Sequence, residues 1–232
     1  MDLFNLKKVL VVGAHADDEV LGIGGTISRL TNQGIQVDVL IVTDSTSSQY
    51  QSHQNLSEID ENRRSGLELS CETLGVHTVH QFNFPDMRLD QVAHVELNRS
   101  ISQVINSGNY DTIFVHHHSD VNLDHQMVFK SVMVCTRPMP NSSIKNVFCY
   151  YTPSSTEWGS YSESSAFIPN VFVDISHHLD TKLKAFEVYT DEIREYPHPR
   201  SSDNLVSVAK FFGSSVGLDA AEPFVLVRHI CK

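Results

Sequence analysis

Residues 9–12, Val-Leu-Val-Val, are apolar without interruption, which predicts a β-strand covered on both faces, and Gly13 ends the run before a polar loop. A helix is expected near Glu19, a second strand covers 37–42, and the apolar run recurs at 112–115 after two segments of helical period. One of these, 56–74, puts Leu56, Ile59, Leu67, Cys71 and Leu74 on one stripe, with Arg63 on the same stripe between Ile59 and Leu67. An arginine facing inward requires a partner. Further helices are predicted at 91–105, 124–135, 176–190 and 204–213, and late strands at 147–150, 171–175 and 224–227. The Pro- and Ser-rich stretch 138–169 reads as loop with little regular structure.

Strands alternating with helices predict an α/β fold with a mostly parallel sheet and helices on both faces, in a single domain over 1–232. No internal repeat interrupts it. Such sheets bind ligands at the carboxyl ends of their strands, so the chemistry is sought in the loops after Val12, Val42 and Val115.

With 232 residues, 41% of them hydrophobic, the chain can bury a sizeable core. A net charge of −11, from 17 basic and 28 acidic residues, and the absence of any Lys/Arg cluster argue against nucleic acid or anionic lipid as a partner. Cys71, Cys135, Cys149 and Cys231 form no CxxC pair and read as reduced structural thiols. The first apolar run is too short to span a bilayer and leads into an acidic segment, which points to a cytoplasmic protein.

After the first strand comes His15-Ala-Asp17-Asp18-Glu19, and after the strand at 112–115 comes His116-His-His-Ser-Asp120-Val-Asn122-Leu-Asp124-His125. Clusters on neighbouring strand ends can meet in space. A catalytic zinc takes three protein ligands and leaves a position for water, and His15, Asp18 and His125 would supply two imidazoles and a carboxylate. Asp17 is then free to act as general base, while Asp120 or Asp124 can orient a ligand imidazole. Two simpler readings stand beside this one: Asp17 or Asp18 caps the following helix, and at most one of His116, His117 and His118 is functional.

The first cluster, followed by Val20-Leu-Gly22-Ile-Gly24-Gly25-Thr26, resembles the AHPDDE motif and Gly-rich helix start of the PIG-L/LmbE deacetylases. Asp120 to His125 resembles that family's second motif, and Arg63, Leu74-Gly75-Val76 and Ala221-Glu222-Pro-Phe224 extend the match over nearly the whole chain. The resemblance implies a Rossmann-like fold, one Zn²⁺ per chain on His15, Asp18 and His125, water activation by Asp17, and contact of Arg63 with an N-acyl amino-sugar substrate. A homo-oligomer is common in such families.

Three positions depart from the pattern: Ala16 replaces a proline, Gly66 a glutamate, and Asn122 a histidine that would protonate the leaving amine. An amide cannot deliver a proton. His198, in Tyr196-Pro-His198-Pro-Arg200-Ser201, is the candidate for that role and for holding the oxyanion, with Arg200 displayed beside it. Asn122, Glu157, Trp158 and Arg200 are expected to contact the sugar. The segments around Trp158 and His198 are similar to those of members associated with bacterial surface-polysaccharide sugars.

Competing readings fit less well. A dinucleotide fingerprint needs a third glycine where Ile27 stands, and the carboxylates at the turn would repel a pyrophosphate. Too few ligands are placed for a two-metal phosphoesterase. A catalytically inactive metal- or sugar-binding protein could readily have lost Asp17, and a deacylase of a non-sugar amide would use the same ligands. Two imidazoles and a carboxylate also suit Fe(II).

Overall fold

The computed structural model describes residues 6–45, 56–159, 162 and 164–231, with side chains of the helix that opens at Leu56 described from Arg63 onward. The first apolar run becomes β1 (Lys8–Gly13), followed by α1 (Asp18–Asn32), β2 (Gln36–Thr43) and α2 (Leu56–Leu74). Then come β3 (Thr78–Phe84), α3 (His94–Gly108), β4 (Thr112–His116), α4 (Leu123–Cys135) and β5 (Asn146–Tyr150). The chain closes with β6 (Val171–Asp174), α5 (Leu179–Phe186), α6 (Ser202–Ser214) and β7 (Ala221–His229).

These form a seven-stranded sheet of order β3-β2-β1-β4-β5-β7-β6. β1 pairs in parallel with β2 and β4, β2 with β3, and β4 with β5, while β7 runs antiparallel between β5 and β6. Alternate residues of each strand feed opposite cores. Val9, Val11, Val37, Val39 and Ile41 pack with Leu21, Ile23 and Ile27 of α1, Leu67 and Leu74 of α2, and Phe186 of α5. Leu10, Val12, Leu40 and Val42 pack with Leu97 and Ile101 of α3 and Val128 and Val132 of α4. This is the single-domain α/β sheet covered on both faces that the hydrophobic pattern predicts. The chain moves outward from β1 through β2 to β3, then returns to the other side of β1 as β4, so the carboxyl ends of β1 and β4 flank a switch point where a crevice opens.

Several boundaries differ from the sequence reading. β3 lacks a predicted counterpart: it is an edge strand, Thr-Val-His-Gln-Phe-Asn-Phe, whose residues are mostly half-buried and mixed in polarity. α3 opens at His94 because residues 89–91 form a separate 3₁₀ turn. α5 covers only Leu179–Phe186 of the predicted 176–190, since Val188 and Tyr189, which extend the helical period, reach the core from the turn that follows. The α2 stripe holds at Leu67, Cys71 and Leu74; the side chains of Leu56 and Ile59 lie outside the described residues. Among the described residues no helix is long and apolar enough to cross a membrane.

Close packing of α1 on β5 depends on Gly22, where an added Cβ would lie 2.3 Å from the Tyr150 ring. Tyr150 is fully buried and anchored by donating its hydroxyl to Val12 O at 2.9 Å, so it has little room to yield. Gly22→Ala should therefore destabilise the protein by about 1–3 kcal/mol, read as a lower urea midpoint at unchanged slope. An unchanged midpoint would show that Tyr150 can move.

A candidate metal centre at the sheet switch point

The loop after β1 is shaped by its own carboxylates. A side chain at Gly13 would crowd its neighbours, because its Cβ would lie 3.0 Å from Asp18 Cβ and Ile41 Cδ1. Asp18 folds back over it, its Oδ2 accepting the backbone N–H groups of Ala14 at 3.0 Å and His15 at 2.7 Å. Glu19 secures the turn from within: Oε2 accepts the Asp17 N–H at 3.0 Å, and Oε1 takes the hydroxyls of Ser70 at 2.9 Å and Tyr189 at 2.6 Å. Asp17 occupies the N-cap position of α1 with φ 115° and makes no capping bond through its side chain. Neither aspartate serves the helix terminus in the way the simpler reading requires.

Two imidazole nitrogens and the Asp18 carboxylate, groups that could hold a metal ion, converge at the switch point. His15 Nδ1 lies 3.3 Å from His125 Nε2 and 3.6 Å from Asp18 Oδ2, while His125 Nε2 is 3.4 Å from Asp18 Oδ1. Zinc–ligand bonds of about 2.0–2.1 Å in a tetrahedron set neighbouring ligands about 3.3 Å apart, so this spacing fits such an ion. Asp18 Oδ1 is buried with no hydrogen-bond partner, and two imidazole nitrogens face each other beside it, an arrangement that a cation satisfies. The far nitrogens are held. His15 Nε2 is 3.1 Å from Asp124 Oδ2 and from Asp86 Oδ1, and His125 Nδ1 is 3.2 Å from Asp120 Oδ1.

Burial disfavours a charged His125, yet the carboxylates of Asp18 and Asp120 outweigh it and push the imidazole up to about 9. Burial likewise works against the Asp18 carboxylate, but His125 and His116 hold it well below the usual range. The pocket attracts positive charge. Of the three consecutive histidines, His116 packs behind the centre, its ring stacked on His125 at 3.7 Å and its Nε2 accepting the Ala14 N–H at 3.0 Å. Burial and the neighbouring His125 lower it to about 4, so it stands neutral. His117 meets Phe167 edge-on, and His118 lies 3.2 Å from Ser164 O.

Beside His15, Asp18 and His125 opens a cleft of about 50 Å³. Its walls carry His15 and Asp17 from the first loop, Ser45 after β2, Asp86 and Met87 after β3, and Asn122 before α4. Among the described residues, Arg63, Glu192 and Arg200 also line it. Asp17 is 2% exposed, and burial, aided by Asp18 and Glu192 and opposed by Arg200 and Arg63, lifts its carboxyl to about 7. Arg200 Nη1 donates to Asp17 Oδ2 at 2.9 Å. The inward-facing Arg63 finds its partner in Glu192.

The other predicted residues vary in place, and among them Asn122 lines the cleft. Asn122 caps α4, its Oδ1 accepting the Asp124 N–H at 2.9 Å. Asp124 itself accepts the N–H groups of Met87 and Leu89, at 2.7 and 3.0 Å. Glu157 turns back to accept the N–H groups of Ser154 and Ser155, at 2.6 and 3.2 Å. Trp158 is 55% exposed and meets the His198 ring edge-on at 6.1 Å, and neither lines the cleft. Sequence reasoning did not single out Ser45, Asp86 or Glu192. Asp86 follows the edge strand that went unpredicted, and Glu192 lies in a turn just past a segment read as helix.

Comparison with known proteins decides the family. The model of the family described as PIG-L, GlcNAc-PI de-N-acetylase, matches residues 10–136, which carry both histidine motifs. The chain belongs to the PIG-L family. This PIG-L protein is 27% identical over 241 residues to a diacetylchitobiose deacetylase of Thermococcus kodakarensis, covering 98% of this chain and 87% of the relative. Its fold matches the N,N'-diacetylchitobiose deacetylase of Pyrococcus horikoshii with a TM-score of 0.78 at 23% identity, over 97% of this chain and 85% of that one. A 4-carboxy-2-hydroxymuconate hydratase from Pseudomonas putida KT2440 shares the fold, with a TM-score of 0.75 at 19% identity over 98% of both chains. One architecture therefore hosts two reactions, and the reaction must be argued from the site.

Proposed function

We propose that this PIG-L protein is a zinc-dependent N-deacetylase of amino sugars, with His15, Asp18 and His125 as the metal ligands and Asp17 as the proton carrier. The observation that carries the reading is the convergence of two imidazole nitrogens and one unpartnered carboxylate oxygen beside a buried, separately oriented carboxylate. The family match and the Thermococcus relative support the amide and the sugar. When bound, zinc polarises the amide carbonyl and lowers the pKa of an attacking water.

The chain's own groups do the rest. Asp17 stands at the cleft wall with a proton affinity near neutrality, suited both to take a proton from water and to return it to the leaving amine. That double duty answers the loss of the family histidine at Asn122. His198, the sequence candidate for that step, lies outside the cleft lining. Arg63 and Arg200 orient the carboxylates around the reacting amide, and Asp124 and Asp120 fix the tautomers of His15 and His125.

The test is metal analysis by mass spectrometry alongside amine release from N-acetylglucosamine and N,N'-diacetylchitobiose. Near-stoichiometric zinc, loss of turnover on chelation and its return with zinc are expected; iron would read out in the same spectrum. Protein that takes up no metal and releases no amine would sink the proposal. Asp120→Asn should weaken zinc binding by about 10–100-fold, measured by competition with a chromophoric chelator, because His125 loses the anionic acceptor of its Nδ1 proton. Unchanged affinity would reduce Asp120 to a loop anchor.

A further inference from the structure

An arginine pair in a cleft ordinarily reads as a site for carboxylate or phosphate, since the guanidinium fork matches both. Here the pair is already engaged. Glu192, 4% exposed, meets Arg63 through Oε1 and Arg200 through Oε2. Arg200 also reaches Asp17 at 2.9 Å and donates from Nε to Ser154 Oγ at 2.7 Å. Against these two cations the cleft wall sets Asp17, Asp86 and Glu192, with Asp18 directly behind. A bound divalent metal adds positive charge, but Asp18 lies against it. Arg88 and Arg194 neighbour cleft residues in sequence yet are exposed and do not line it. Residues 46–55, which follow β2 outside the described residues, contain no lysine or arginine.

We infer that Glu192 is a specificity-determining residue that keeps the cleft for uncharged sugars, by occupying the two guanidiniums that would otherwise capture a phosphate or carboxylate on the substrate. For an anion to take either arginine, it must strip a partner from a buried carboxylate and leave that charge uncompensated, which is costly. The charge of −11 on the whole chain also slows the approach of anions. The inference rests on the deacetylase reading for the nature of the substrate, and on the ion network alone for the exclusion of anions.

The experiment compares kcat/KM for amine release from N,N'-diacetylchitobiose and from N-acetylglucosamine 6-phosphate, and measures inorganic phosphate binding by calorimetry, on zinc-loaded wild type, Glu192→Gln and Glu192→Asp. Wild type should prefer the neutral sugar by at least about tenfold, and Glu192→Gln should bind phosphate at least about tenfold more tightly while narrowing the preference. If Glu192→Gln fails to fold, as judged by circular dichroism, Glu192→Asp serves the phosphate arm, since the shorter carboxylate cannot reach both Arg63 and Arg200. Equal turnover of the phosphorylated sugar by wild type, or phosphate affinity no higher in the folded variants, overturns the inference. Should no sugar release amine, the deacetylase reading fails, and the phosphate arm still decides what Glu192 does.

Discussion

Asparagine in place of Asp17 should leave zinc bound and lower kcat for amine release by roughly 10²–10⁴-fold, the usual contribution of a positioned proton-transfer group. The substitution is chosen for its backbone. Asp17 has φ 115°, in the left-handed half of conformational space where asparagine and aspartate are the most tolerant residues after glycine. An alanine there would mix strain with lost chemistry. The amide oxygen of the introduced asparagine can still accept from Arg200, as Asp17 Oδ2 does at 2.9 Å, so the wall of the cleft stays in place. Asp18 is held by the N–H groups of Ala14 and His15, not by Asp17, so the proposed metal ligands should keep their positions. What disappears is the proton acceptor that burial has tuned to about 7. Single-turnover amine release with parallel metal analysis checks this. Turnover within a few-fold of wild type would take Asp17 out of the mechanism, and loss of zinc would show that it supports the ligand cage.

The parts of this architecture that could be read from the sequence are those where burial on both faces writes an uninterrupted apolar run. β1, β4 and β5 are of that kind, β2 breaks the run only at Asp38, and each of the four is buried almost throughout. β3 has solvent on one side and a mixed sequence, so its period of two is blurred, and the loop after it, which delivers Asp86 within 3.1 Å of His15, carries no clear sequence signal. The two histidine clusters were legible because strand ends in an open sheet are where ligands bind, and dense carboxylate and imidazole at such places has few structural uses. The sequence could not show direction. Glu157 looks like a sugar contact on paper and spends its oxygens on two backbone N–H groups, while His198 sits at the Trp158 ring. Nor could it show pairing over 129 residues, which is what makes Arg63 and Glu192 one device.

Glu222→Ala should destabilise the protein by about 3–5 kcal/mol, the cost of leaving a buried charge without its partner. Glu222 opens β7 and is 2% exposed; its Oε1 lies 2.6 Å from Lys182 Nζ on α5, and its two oxygens accept the N–H groups of Gly25 at 3.0 Å and Thr26 at 2.7 Å in the middle of α1. Lys182, itself 6% exposed, donates onward to Leu21 O at 2.9 Å. One carboxylate therefore ties a strand and two helices together, and its removal strands an ammonium with a single carbonyl for company. Glu222→Gln keeps an acceptor for the helix amides but loses the charge, so it should fall between wild type and alanine. The double variant Lys182→Met/Glu222→Leu separates the two contributions: it relieves the buried charge but leaves the Gly25 and Thr26 amides without Glu222, so it should recover only part of the loss. Urea midpoints at constant slope measure all three. A loss under about 1 kcal/mol for Glu222→Ala would mean that water or a shifted Lys182 replaces the carboxylate. The consequence would reach the proposed metal centre, because α1 carries Asp18, one of its proposed ligands, at the first turn.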